Sequence, residues 1–192
     1  MRGFGAGVVL LEVETKIIVP CRVLDSIRER LGSLGFRFEW SGEERDVYFQ
    51  HPCRDFSVTD EALRLREVVG EPGSSYVLTW KGPKIGDPGV KAREEVNFRF
   101  DRDGDVLKSI FLKLGFTPVA RIVKRRSIYS GLNVRVFLDR VEGLGCFVEV
   151  EALGEYSEAK TLVDRAVRSL ELESYESTVK SYLELYLERN RQ

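Results

Sequence analysis

The 192-residue chain is 43% hydrophobic and 32% charged, with a net charge of -1. That composition fits one sizeable globular domain or two small ones, and it excludes an overall basic coat for duplex nucleic acid. No apolar run approaches the ~18 residues that span a membrane. Met1 to Leu11 is too short and too poor in basic residues for a signal peptide, so the expected location is cytoplasmic. Cys21, Cys53 and Cys146 lack metal-like spacing and predict neither a zinc cluster nor a disulfide framework. His51, the single histidine, sits beside Pro52 in what reads as a strand end or turn, so neither a histidine-based triad nor a multi-histidine metal site is expected to dominate the chemistry.

In chain order, Glu12-Val13-Glu14-Thr15-Lys16 reads as a strand whose charged residues share one face, with Val13, Thr15 and Ile17 on the other. Cys21 to Leu34 has helical apolar spacing and a stop at Gly35. Arg37 to Trp40 and Asp46 to Gln50 read as strands around a turn at Ser41-Gly42. Ala62 to Val69 and Tyr76 to Lys81 form a further strand pair across Glu71-Pro72-Gly73-Ser74. Gly82 to Ala92 is a loop containing Lys84 and Lys91, suited to closing over phosphates or to lying solvated.

Arg93 to Phe100 resumes strand character, and Asp105 to Leu114 reads as a helix followed by Gly115-Phe116. Val119 to Tyr129, Asn133 to Val141 and Cys146 to Ala152 complete the strands; helices over Ser157 to Leu170 and Glu176 to Asn190 close the chain. Strand, helix, Leu-Gly-Phe and strand occur at Glu12 to Glu39 and recur at Arg93 to Lys124, the pattern of a duplicated half-barrel.

Charged residues recur at i, i+2 on strand after strand: Arg64 and Arg66, Arg93 and Glu95 with Asn97 next, Lys124 and Arg126, Glu149 and Glu151, with Lys81 and Asp139 singly. Either this face is open to solvent with internal ion pairs, or the sheet closes with the charges inside. Eight or so strands enclose a lumen wide enough for one small ligand. Charges inside it persist only when paired or bound to ions.

A lumen holding Glu12, Glu14, Asp139, Glu149 and Glu151 near Lys16, Arg64, Arg66, Lys81, Arg93, Lys124 and Arg126 asks for hard divalent cations and a polyanion together. A metal-bound triphosphate meets both demands. A basic face tracking single-stranded RNA is the remaining option, but Phe98, Phe137 and Phe147 do not interleave with the bases.

These residues resemble the CYTH superfamily, the triphosphate tunnel metalloenzymes. The matching stretches are Glu12-x-Glu14-x-Lys16, Asp46-Val-Tyr48-Phe49, Asp60-Glu-Ala-Leu-Arg64-Leu-Arg66, Thr79-Trp-Lys81-Gly-Pro83, Lys124-Arg-Arg126 and Leu138-Asp139 through Glu149-Val-Glu151. The branch containing class IV adenylyl cyclases is the most similar. The resemblance implies an α+β fold: an eight-stranded antiparallel β-barrel, the triphosphate tunnel, with a polar interior and helices packed outside. One domain would span 1–192, with the tunnel at about 9–152 and C-terminal helices at about 157–190.

By matched position, the resemblance implies that Glu12, Glu14, Asp139, Glu149 and Glu151 hold Mg²⁺ or Mn²⁺. Lys16, Arg64, Arg66, Lys81, Arg93, Lys124 and Arg126 would hold phosphate oxygens. Lys16, or a metal-linked carboxylate, is the candidate acceptor of the nucleophile's proton. Asn97 stands where the family often carries an acid. The expected activity is adenylyl cyclase-like, ATP to cyclic AMP plus pyrophosphate. A triphosphatase acting on tripolyphosphate, thiamine triphosphate or nucleotides is the alternative, as is a binding module without turnover. A homodimer is compatible with the outer helices.

Overall fold

The structure is a computed structural model and describes residues 11–70, 73–85 and 91–190. Its strands are β1 (Leu11–Val19), β2 (Arg37–Gln50), β3 (Ala62–Gly70), β4 (Gly73–Lys81), β5 (Lys91–Arg93), β6 (Glu95–Phe100), β7 (Thr117–Gly131), β8 (Val134–Val141), β9 (Gly145–Gly154) and β10 (Ser177–Thr178). The helices are α1 (Leu24–Ser33), α2 (Phe56–Thr59), α3 (Gly104–Lys113), α4 (Tyr156–Ser169) and α5 (Tyr182–Arg189).

Eight strands run antiparallel in the order β1-β9-β8-β7-β2-β3-β4-β6, with β10 and β5 as short additions to β1. β5 and β6 are successive pieces of one extended run, separated by Glu94. The first piece pairs with β1 (Glu12↔Arg93) and the second with β4 (Lys81↔Glu95). That run joins the two edges of the sheet and makes a nearly closed barrel. The expected eight-stranded barrel is therefore the fold observed, and closure leaves little unpaired edge.

The alternation seen in the sequence decides which face turns inward. Outward-facing Val13, Ile17, Val136, Leu138, Val148 and Val150 are buried under Leu24, Ile27 and Leu31 of α1 and Ala159, Val163 and Ala166 of α4. A second cluster lies at one end of the barrel, where Tyr182, Leu183, Leu185 and Tyr186 of α5 pack on Tyr48, Ala62, Ile122, Val141 and Phe147. Burial of these apolar groups holds the helices to the barrel.

The two Leu-Gly-Phe triplets do the same work. Gly35 and Gly115 take φ of +78° and +87°, a left-handed conformation that glycine adopts without steric cost. The amides of Phe36 and Phe116 then bond the carbonyls of Leu31 and Phe111, closing α1 and α3 with the same C-terminal motif.

Three expectations change. The turn at Ser41-Gly42 is absent: β2 is continuous, with a register shift between Phe38 and Trp40. Gly42 is there for close approach, since a Cβ would fall 2.3 Å from the Trp40 ring. The last helix begins at Tyr182 rather than Glu176, because Ser177 and Thr178 pair with β1 and Ser181 and Glu184 form a reciprocal N-terminal cap. Cys21 and Cys146 form a disulfide, contrary to the expectation from spacing. The two residues are 125 apart in sequence, and only the fold brings them together. Residues 86–90 of the expected loop and 71–72 of the expected turn lie outside the described residues.

Candidate functional site

Period-two alternation aims the charged side chains of β1, β3, β4, β5, β6, β7 and β9 into a cavity of about 400 Å³. The volume suits a small-molecule site, for which roughly 300–1,000 Å³ is usual. Glu12, Glu14, Lys16, Arg64, Arg66, Lys81, Arg93, Lys124, Arg126, Glu149 and Glu151 all line it. Asp139 does not; it is fully buried behind Arg126.

Two sets of ion pairs, joined where Arg126 lies 3.9 Å from Glu44, hold Lys16, Arg66, Lys124 and Arg126. In the first, Arg66 donates to both Asp46 oxygens at 2.6 and 2.7 Å and lies 2.8 Å from Glu44. Lys124 sits 2.9 Å from the same Glu44 oxygen. In the second, Arg126 contacts Asp139 and Glu149, Lys16 pairs with Glu149 at 2.8 Å, and the Tyr182 hydroxyl donates to Asp139 at 2.7 Å. The Lys16 ammonium also lies 4.4 Å over the Tyr182 ring.

Charge and burial pull these groups in opposite directions. Burial disfavours ionised Glu44, but Arg66, Lys124 and Arg126 outweigh it and hold the carboxyl at about 2. Lys124 is drawn below its usual value by burial, Arg126 and Arg66, against which Glu44 and Asp46 only partly compensate. The same cationic surroundings therefore lower both ends of the Lys124–Glu44 contact, favouring the ionised carboxylate and disfavouring the ammonium. Burial also penalises the Lys16 ammonium, yet Glu149 and Glu14 raise it above its ordinary value. Lys16 is consequently a standing cation, a poorer proton acceptor than expected.

Some buried donors are left for a ligand. The Nε groups of Arg64 and Arg93 are buried with no hydrogen-bond partner. Unmet buried donors cost free energy unless an acceptor reaches them, and phosphate oxygens supply such acceptors. Arg93 otherwise reaches Asp60 at 3.0 Å, and Arg64 reaches Thr79 at 3.0 Å. Thr79 in turn donates to Asn97 at 2.7 Å, so Asn97 accepts a neutral hydrogen bond where an acid would have added charge.

The acids separate into two groups. Glu12, Glu14 and Glu151 present carboxylate oxygens within 4.8 Å of one another, a set that can hold a metal ion. Glu12 and Glu14 lie on β1, and Glu14 faces Glu151 across the β1–β9 ladder. Burial and the charges of Glu12 and Glu14 push the Glu151 carboxyl up to about 8, because low dielectric and neighbouring like charges both disfavour its ionised form. Three hard oxygen donors fit Mg²⁺ or Mn²⁺. Asp139 and Glu149 instead spend their charge on Arg126 and Lys16.

Sequence reasoning assigned no role to Glu44, Asp46, Tyr182 or Trp40. Glu44 and Asp46 carry the same i, i+2 signal as the other strands, masked by reading Ser41-Gly42 as a turn. For Tyr182 the available signal was the Ser181-x-x-Glu184 cap, which fixes where α5 starts and hence what its first residue touches.

The geometry is that of a polar tunnel with an acid trio on one wall and bases on the others. The CYTH domain family profile matches residues 10–182, and the chain belongs to that family. It is 37% identical over 92% of its length to a Methanocaldococcus jannaschii protein that carries a provisional adenylate cyclase name, and covers 98% of that protein. Among solved structures, the PH1819 protein of Pyrococcus horikoshii shares 39% identity at a TM-score of 0.81, over 93% of this chain and 99% of that one. A Hippeastrum protein, described as a provisional adenylyl cyclase with a dominant triphosphatase activity, shares the fold at 16% identity and a TM-score of 0.68, over 94% and 96% of the two chains.

Proposed function

We propose that the tunnel binds an organic triphosphate together with Mg²⁺ or Mn²⁺ and works as an adenylyl cyclase, turning ATP into cyclic AMP and pyrophosphate. The observation that carries the triphosphate reading is the acid trio facing bases whose buried donors, on Arg64 and Arg93, lack acceptors. The cyclase reading draws its support from the name of the Methanocaldococcus relative.

A metal ion held by Glu12, Glu14 and Glu151 supplies charge neutralisation on phosphate oxygens. The remaining work belongs to the chain. Arg64, Arg66, Lys81, Arg93 and Arg126 bind and orient the phosphates in a cavity of low dielectric, where such contacts are strong. The ribose 3′-oxygen attacks the α-phosphorus, its proton leaves, and the bond to the bridging oxygen breaks to release pyrophosphate. Lys16, kept protonated by Glu149, offsets the charge that develops on the leaving group. Lys124 is the buried lysine better suited to take up the proton, because burial and its cationic neighbours weaken its hold on its own.

Hydrolysis of the terminal phosphate is the second reading, favoured by the activity described for the Hippeastrum protein of the same fold. Product analysis decides between them. With Mg²⁺ and ATP, cyclic AMP plus pyrophosphate is the expected outcome; ADP plus orthophosphate would move the assignment to a triphosphatase. Tight binding with neither product would leave a binding module.

A further inference from the structure

Apolar side chains stand at both ends of the cavity, but α5 packs over one of them. At one end α5 packs on Ile122 of β7, Tyr48 of β2 and Val141 of β8. Ile128 lies six residues further along β7, roughly 20 Å away at strand rise. There Ile128 is in register with Trp40 of β2 and with Phe137 of β8, so three apolar side chains stand side by side on the inner wall.

The Trp40 ring has a prepared seat. It lies on Gly42 and Gly70, where added Cβ atoms would come 2.3 Å from Cζ2 and 3.0 Å from Nε1. Two backbone positions on adjacent strands are thus kept bare beneath one half-buried indole that lines the cavity. The next inward residue on β7 is Arg126, whose guanidinium stacks 4.3 Å over the Phe137 ring. A flat apolar wall therefore runs straight into the cations of the tunnel. An inorganic polyphosphate has nothing to place on such a wall, whereas a nucleobase gains from stacking on an indole.

We propose that Trp40 is the stacking platform for the planar aromatic group of an organic triphosphate, with Ile128 and Phe137 completing that wall. The assignment rests on the triphosphate reading above and adds what selects among triphosphates. Trp40 then distinguishes ATP from tripolyphosphate, while the bases treat them alike.

Calorimetric titration of ATP and of tripolyphosphate, each with Mg²⁺, into wild type, Trp40→Ala and Trp40→Phe tests this. The ratio of the ATP Kd to the tripolyphosphate Kd should rise about tenfold in Trp40→Ala, or about 1.4 kcal/mol. Trp40→Phe should restore most of it. Fluorescence gives a second measure that needs no truncation. In Trp80→Phe, Trp40 is the sole indole of the two in the chain, and ATP should alter its emission more than tripolyphosphate does.

An unchanged ratio, or equal emission changes with both ligands, overturns the assignment, and the emission result decides alone should Trp40→Ala fail to fold. Wild type that binds neither ligand would instead overturn the triphosphate reading, and the Trp40 assignment with it.

Discussion

Glu44 is a carboxylate that burial alone would neutralise, and three cations keep it ionised at about 2. Its value lies below the ordinary 4.5, so its contribution to stability is complete above pH 4.5 and is lost as pH falls toward 2. Wild type should therefore lose stability across that interval in urea titrations. Glu44→Gln should begin less stable and lose less; an identical pH slope in the two proteins would show that Glu44 is not held by its cations.

Much of this scale was legible in the sequence. Alternation needs no knowledge of register, so it placed Glu12, Glu14, Lys16, Arg64, Arg66, Lys124 and Arg126 on the charged face of their strands, and closure of the sheet makes that face the inner one. It could not say which acid meets which base. Asp139 belongs to Arg126 because β7 and β8 pair them directly, and Glu149 belongs to Lys16 through the β1–β9 register. Register is set by turns and by closure of the whole sheet, and a strand read alone carries neither.

At the level of elements, the barrel is tied to the start of α1 by the Cys21–Cys146 disulfide, which joins the short turn after β1 to the first residues of β9. A cross-link over 125 residues removes much of the freedom of the unfolded chain. Cys21→Ser should accordingly lower stability by about 2–5 kcal/mol, seen as a lower Tm, and reduction of the wild type should reproduce the loss. An unchanged Tm on reduction would contradict a cross-link that stabilises the fold.

The cysteine spacing hid this pair because the partners meet only after the barrel has formed. The helix ends, by contrast, were readable: Leu-Gly-Phe encodes its own local hydrogen bonds, and both copies adopt them. The start of α5 was misplaced by six residues because the pairing of Ser177 and Thr178 with β1 is a long-range contact that local propensity does not carry.

For the molecule as a whole, the barrel divides the charge of its lumen unevenly. Glu44, Asp46, Asp139 and Glu149 pair with bases of the lumen, while Glu12, Glu14 and Glu151 bring carboxylate oxygens within 4.8 Å of one another. On the proposed reading, a cation held by Glu12, Glu14 and Glu151 would neutralise the trio, and Arg64 and Arg93 would take phosphate oxygens. Metal and triphosphate should consequently bind together, each strengthening the other.

The direct test is calorimetry of tripolyphosphate binding with and without Mg²⁺, in wild type and in Glu14→Ala, with circular dichroism confirming the fold of both. The wild type should bind at least about tenfold more tightly with Mg²⁺, a coupling of about 1.4 kcal/mol, and Glu14→Ala should lose that difference. Tight binding that is indifferent to Mg²⁺ in both proteins would contradict the acid trio as the metal site.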